Sequence, residues 1–357
     1  MNHSETQAPK VLKESKRKIK VDFERTSRWT RFRVKYLNGG YVATLIYRMF
    51  RFILLVGVAF VILFPFYSKI AGSFMGQEDF VDVTVKLVPK TWTLDQYKYI
   101  LLENGYLEAF SNTLVLSGLC AVLQTVTCCI IAYGFAKFKF KFNNALFMLV
   151  IFTMVVPHIV LRYAMFMQFS DLDILFVKHI IGGFQGLIEN GDFMEGWDKT
   201  KGMNLLNSNW PLMILSVTGL AYKNGLYIFL LRQFFKGVPD ELEESAYIDG
   251  SGVFRTFVTI IIPLSMTMLL TVFVFAFSWQ WTDNFYTKLF YTGTGPTLMP
   301  SIVTVPPSIS TGHAGQVMHE SAIKNTCSLL IILPLIILYL FFQKSLVQGI
   351  ERSGITG

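Results

Sequence analysis

Six runs of apolar residues, each near twenty long, constrain this chain more than any other feature. They fall at about Phe52–Phe74, Phe110–Phe135, Ala145–Met167, Trp210–Leu231, Leu264–Phe285 and Ala322–Phe342. A helix needs about twenty residues to cross a hydrocarbon core about 30 Å thick, so these lengths match a membrane. No water is available there to satisfy loose backbone groups, and an unbroken apolar run can do so only as a helix. The expected fold class is therefore an all-α polytopic membrane protein of about six transmembrane helices. The overall balance, 52% hydrophobic and 16% charged, points the same way, since ordinary soluble domains are about 25% charged. Cys120, Cys128, Cys129 and Cys327 all fall within the runs. They read as small buried hydrophobes, not as a disulfide framework or a metal site.

Charge then orients the spans. Residues 1–51 hold thirteen Lys and Arg against four Asp and Glu, with Trp29, Phe32 and Tyr36 interleaved. Because a membrane span follows directly, this basic arm reads as a cytoplasmic, lipid-facing segment and not as a nucleic-acid binder. Its basic stretch is too long for a cleaved signal peptide. Lys137, Lys139 and Lys141 follow the second run, whereas segments 75–109 and 168–209 each carry six acids against three lysines. The positive-inside tendency places both termini, the Lys137–Lys141 turn and the loop around Glu244 in the cytoplasm. The expectation is a multi-pass protein of the cell membrane: a basic arm at 1–51, a transmembrane domain at 52–347 and a cytoplasmic tail at 348–357. The outer segments 75–109, 168–209 and 286–321 read as loop-rich. In the second of them Gly182, Gly183, Gly186, Gly191 and Gly196 are expected to break the chain into short pieces.

One polar stretch between spans, residues 239–263, still reads as ordered. Pro239 suits a first helical turn, and Asp240, Glu241, Glu243 and Glu244 put negative charge where the helix dipole favours it. Gly250 supplies a stop, and Ser251 is placed to cap a second helix through Phe254, Phe257 and Ile260. Glu244-Ser245-Ala246, Asp249-Gly250-Ser251, Phe257, Ile260 and Pro263-Leu264 together resemble the EAA loop of ABC importer permease subunits, with Ser245 and Ser251 in place of alanines. That resemblance implies a cytoplasmic helix-turn-helix that docks into a cleft on the ATPase, with Glu243, Glu244, Ala246, Asp249, Gly250, Phe257 and Pro263 as its coupling residues.

The resemblance runs from about residue 50 to the end of the chain. Asn112-Thr113, Pro157, Asn207-Ser208-Asn209-Trp210, the stretch Phe229 to Phe235, Val347-Gln348-Gly349 and the final Gly354 and Gly357 resemble the carbohydrate-uptake, maltose-permease branch, with Thr356 replacing its usual lysine. It implies a permease subunit of an ATP-driven importer, forming half of a path for a sugar or oligosaccharide. The implied partners are a second permease subunit in a heterodimer, two ATPase subunits and an extracytoplasmic solute-binding protein. No cofactor is expected on this chain; ATP and Mg belong to the ATPase subunits. Six spans also offer too little wall to enclose an oligosaccharide alone, which independently calls for a second permease.

Polar side chains inside the runs each need a partner helix or a wet path, because one costs about 2.5–3.5 kcal/mol at a helix centre if charged. Those to explain are Gln124, His158, Arg162, Lys223, Asn224, Gln280 and Asp283. His158, next to Pro157, reads first as part of a kinked backbone. Ser278, Trp279, Gln280, Trp281, Asp283 and Asn284, with Gln124, form a candidate substrate path, since indoles stack on sugar rings and amides or carboxylates pair with hydroxyls. An aromatic belt at the membrane interface gives the same composition without a substrate. Trp281-Thr282-Asp283-Asn284-Phe285 also lacks the Asn that the branch carries after its Trp.

The chain has no phosphate-binding loop ending in Gly-Lys-Ser or Gly-Lys-Thr, and no His pair with metal-ligand spacing. It therefore carries no ATP site of its own. Two further classes remain open: an ion-coupled secondary carrier for a small polar solute, and an integral-membrane enzyme. The first calls for mid-span acids and the second for a convergent acid, base or nucleophile, and neither pattern is present.

Overall fold

Where the apolar runs begin, bend and stop is set by their prolines, glycines and polar neighbours. The structure, a computed structural model, describes residues 39–173, 177–192, 194, 202–293, 295–309, 312 and 314–354. In chain order its helices are α1 (Gly39–Ser73), α2 (Asp95–Glu103), α3 (Tyr106–Lys137), α4 (Asn143–Val155), α5 (Arg162–Ser170) and α6 (Val177–Asn190). They continue as α7 (Trp210–Val217), α8 (Asn224–Lys236), α9 (Glu241–Ile248), α10 (Val253–Trp281), α11 (Phe285–Phe290) and α12 (Gln316–Gly354). Among the described residues β pairing is limited to the isolated bridges Met75 to Trp92 and Leu172 to Met203.

Among the described residues four helices, α1, α3, α10 and α12, are long and apolar enough to cross a membrane. Residues Asn143–Val155 and His158–Ser170 make a further candidate bent by 91°. Pro157 stands at that bend, and its missing N–H and fixed φ oppose a straight helix. The expected fourth span, Trp210–Leu231, is two helices instead. Gly219 adopts φ +76°, and the N–H groups of Leu220 and Ala221 both reach the Leu215 carbonyl at 3.0 Å, which closes α7 before α8 begins. Only glycine takes that backbone conformation without a steric penalty.

Other expectations shift as well. The boundaries at 51 and 347 both fall inside helices, α1 and α12; most of the basic arm, residues 1–38, lies outside the described residues. Gly182, Gly183 and Gly186 do not break the segment they occupy, which is the helix α6. Gly196 lies outside the described residues. The fifth span starts earlier than Leu264, because the helix after Gly250 is continuous with it from Val253 to Trp281. Within that helix Phe257–Ile261 is a π-helical turn just before Pro263. The wider turn accommodates a proline that has no N–H to return to the preceding turn.

The chain divides between Phe66 and Tyr67. In the first unit, α1 up to Phe66 exposes apolar side chains all round, Phe52 at 68% and Val61 at 71% among them. A helix that is hydrophobic on every face is suited to lipid. In the second unit α3 is the hub, packing most extensively against α10 and α8 and then α7, while α10 also packs on α12. Ala109, Ala121, Cys128 and Ala132 of α3 are fully buried. Such small side chains let helix backbones approach closely, which is how packing replaces the hydrophobic effect in lipid. All four cysteines are free and buried, as the sequence suggests.

Candidate functional site

Three interruptions of helix meet in space. The first is the bend at Pro157, followed by the tight turn His158–Leu161. The second is the stretch 218–223 between α7 and α8. The third is Thr282–Asn284, between α10 and α11. They surround a cavity of about 380 Å³. Irregular backbone within a membrane protein is tolerated where it is buried or lines a wet cavity, so the breaks and the cavity explain each other. The volume falls within the range of small-molecule sites.

Each break delivers side chains to the wall. Pro157, His158 and Ile159 come from the first, Ala221, Tyr222 and Lys223 from the second, and Thr282, Asp283 and Asn284 from the third, next to Trp279 and Gln280 at the end of α10. Gln124 of α3, Tyr227 of α8 and Tyr286 of α11 complete it. His158 Nδ1 lies 2.5 Å from the Tyr286 hydroxyl, and its ring meets Tyr222 edge-on with centroids 4.6 Å apart. The Lys223 ammonium sits 4.4 Å from the Tyr222 ring centre and 4.6 Å from that of Trp279. A cation over aromatic faces is favourable, and more so where water is scarce. Asp283 Oδ1 accepts the N–H groups of Phe285 and Tyr286, and Oδ2 accepts that of Thr287 at 2.9 Å. It therefore satisfies the free N–H groups of the first turn of α11. Gln124, 4% exposed, donates a long 3.4 Å hydrogen bond to Ser216, and the buried Tyr227 hydroxyl has no hydrogen-bond partner.

Of the residues proposed for a substrate path, Gln124, Trp279, Gln280, Asp283 and Asn284 converge on this cavity, and Ser278 and Trp281 do not. Ser278 returns its hydroxyl to the Val274 carbonyl. Trp281 is fully buried, stacks on Phe277 and donates its indole N–H to the Ile331 carbonyl of α12 at 2.9 Å, so it is core. Tyr222, Tyr227 and Tyr286 escape sequence reasoning. The signal available for the first is Gly219 followed closely by Tyr222-Lys223-Asn224, a polar interruption in an apolar run.

The 239–263 segment holds two kinds of residue. Glu244, Asp249 and Gly250 are exposed, as is Pro263, whereas Glu243, Ala246 and Phe257 are buried. Glu243 accepts the Tyr133 hydroxyl at 2.8 Å and stands 3.1 Å from the Lys137 ammonium, both on α3. Lys137 also donates to the Val238 carbonyl at 2.7 Å and to Asp240 at 2.5 Å. That hydrogen bond holds the Asp240 carboxyl below its ordinary value. The network fastens α9 to the end of α3. On its other side α9 is closed by a short turn, residues 249–252, that leads into α10: Gly250 at φ +83° lets its own N–H reach the Tyr247 carbonyl and that of Ser251 reach Ala246 at 2.9 Å. This is a Schellman closure, with glycine at the left-handed position. The second helix is preceded by Gly252, not capped by Ser251 as expected.

Residues 125–352, which hold all three breaks and the 239–263 segment, match the family described as binding-protein-dependent transport system inner membrane component. The chain belongs to that family. This permease is 27% identical over 323 residues to the arabinooligosaccharides transport system permease protein AraQ of Bacillus subtilis (strain 168), covering 87% of this chain and 97% of that one. It is 24% identical over 308 residues to Protein LplC of the same organism, covering 84% and 92%. Its fold resembles a chain in the crystal structure of a bacterial ABC transporter involved in the import of the acidic polysaccharide alginate, with a TM-score of 0.61, 18% identity and coverage of 85% and 97%. The permease is thus a multi-pass transport component of a system that relies on a binding protein, and not an enzyme.

Proposed function

We propose that this permease forms half of the transmembrane path of an ATP-driven saccharide importer, and that the cavity at the three helix breaks is part of that path. The observation that carries the reading is the mechanical connection: α9, with Glu244 exposed, is tied through Glu243 and Lys137 to α3 and through the Gly250 turn to α10. Both of those helices contribute to the cavity wall, through Gln124 and through Trp279 and Gln280. A push on α9 is thereby passed to α3 through side-chain contacts and to α10 through the four-residue turn 249–252. Glu244 and Asp249 meet the ATPase, while Glu243, Ala246 and Phe257 hold the docking helix on its own spans. ATP and Mg act on two ATPase subunits, a second permease subunit completes the path as a heterodimer, and a solute-binding protein delivers cargo from outside. Both termini lie in the cytoplasm. The name of AraQ, an arabinooligosaccharides transport permease, supports that cargo class.

Reconstitution tests this. Proteoliposomes holding both permeases and the ATPase should take up saccharide only with ATP inside and binding protein outside, and Trp279→Ala should lower the uptake rate. Uptake that persists without ATP and follows an ion gradient would instead support the secondary-carrier reading.

A further inference from the structure

We infer that the cavity selects an acidic saccharide, one bearing a carboxylate, and that Lys223 is the residue that reads it. The inference rests on the proposal that the permease carries saccharide, and it specifies the class.

Lys223 sits at the helix break with its ammonium inside the cavity, between the Tyr222 and Trp279 rings. Lys223 is half-buried, so its charge is only partly shielded from water by these rings, and an anion entering the cavity would find it as the nearest positive group. The protein supplies no counter-charge there. Among the described residues the ion pairs are Lys90 with Asp82 and Lys137 with Asp240 and Glu243. The one carboxylate in the wall, Asp283, is turned to three backbone N–H groups and the Thr287 hydroxyl of α11. It serves the helix, not the lysine.

A second observation is independent of the first. Tyr227, only 1% exposed, lines the cavity and its hydroxyl has no hydrogen-bond partner, while the amide of Gln124, also in the lining, makes one long bond. Buried polar groups left unpaired are costly, so these mark where a ligand's own polar groups belong. Two neutral hydrogen-bonding groups and one cation match a sugar ring that presents hydroxyls on one side and a carboxylate on another. A neutral sugar matches less well. It would leave the ammonium without a counter-ion.

The test uses the whole transporter with its own solute-binding protein in proteoliposomes. The probes are oligogalacturonates, oligomannuronates and oligoglucuronates, each beside its neutral counterpart. Wild type should accumulate at least one uronate. Lys223→Met should lower that uptake about tenfold or more, the loss of one charge-assisted contact, while Lys223→Arg restores most of it. The binding protein is identical in every arm, so a difference between variants belongs to the permease. Co-purification of all subunits checks that the variants assemble. Uptake of neutral saccharides alone, or of a uronate at the wild-type rate by Lys223→Met, would overturn the inference and leave the saccharide reading standing. Uptake of neither class would remove both.

Discussion

Glu243 and Glu244 are adjacent in sequence and differ in everything else. Glu243 is buried against Tyr133 and Lys137, and Glu244, about 100° further round the same short helix, is exposed. Glu243→Ala removes the carboxylate from the Tyr133 hydroxyl and one counter-ion from Lys137, which keeps Asp240 and the Val238 carbonyl. The expected loss is about 1.5–3 kcal/mol, the worth of a hydrogen bond to a charged group. It should appear as a lower melting temperature of the detergent-solubilised permease. Glu244→Lys should leave that temperature unchanged, yet weaken co-purification of the ATPase by reversing the charge it meets. Equal melting temperatures for Glu243→Ala and wild type would show that α9 is not held by this network.

At the scale of elements, two glycines act for different reasons. Gly225 opens α8 where it crosses α4: a Cβ there would stand 2.6 Å from Thr153 Oγ1 and 3.1 Å from the Val150 carbonyl oxygen. Gly225→Ala must separate the helices or displace Thr153, and overpacking of this kind costs about 1–3 kcal/mol. A Cβ at Gly250 would meet no atom within 4 Å, so the requirement there is the backbone alone, φ +83°. Gly250→Ala should cost about 1 kcal/mol or slightly more, the penalty of a left-handed conformation. The two variants separate in a second measurement. Gly225→Ala should leave stimulated ATP hydrolysis per assembled complex near normal, whereas Gly250→Ala, by redirecting α9 relative to α10, should lower it. A larger loss of stability for Gly250→Ala than for Gly225→Ala would contradict this division.

For the molecule as a whole, the proposed orientation rests on the arrangement of charge. Ile248 in the docking segment and Val83 in the segment after α1 are each 86% exposed, and the native cysteines are all buried. Single-cysteine reporters can therefore be read without background. A membrane-impermeant maleimide added to intact cells should label Val83→Cys and not Ile248→Cys, and the pattern should reverse in inside-out vesicles. Labelling of both from the same side would refute the assigned topology. The structure's bent and broken helices also put a limit on counting spans from hydropathy. The run at 210–231 has the length of a crossing, and it is the left-handed Gly219 that divides it into α7 and α8.

Residues close in sequence were legible without the fold. The apolar runs set the class, because span length follows from bilayer thickness, and the 239–263 segment declared itself through charge placement, a stop at Gly250 and Pro263, all of which act within a turn or two. The direction a side chain faces was not legible inside the spans. Such helices are apolar all round, so they lack the contrast between a wet and a dry face that reveals orientation in a soluble helix. Trp279 and Trp281 show the result: two residues along an α-helix is a rotation of roughly 200°, which puts one indole at the cavity and the other in the core against α12. Nor could the sequence bring Pro157, Lys223 and Asp283 together. That meeting depends on α3 packing against α7, α8 and α10 at once, and on long-range contacts between breaks that no local pattern encodes.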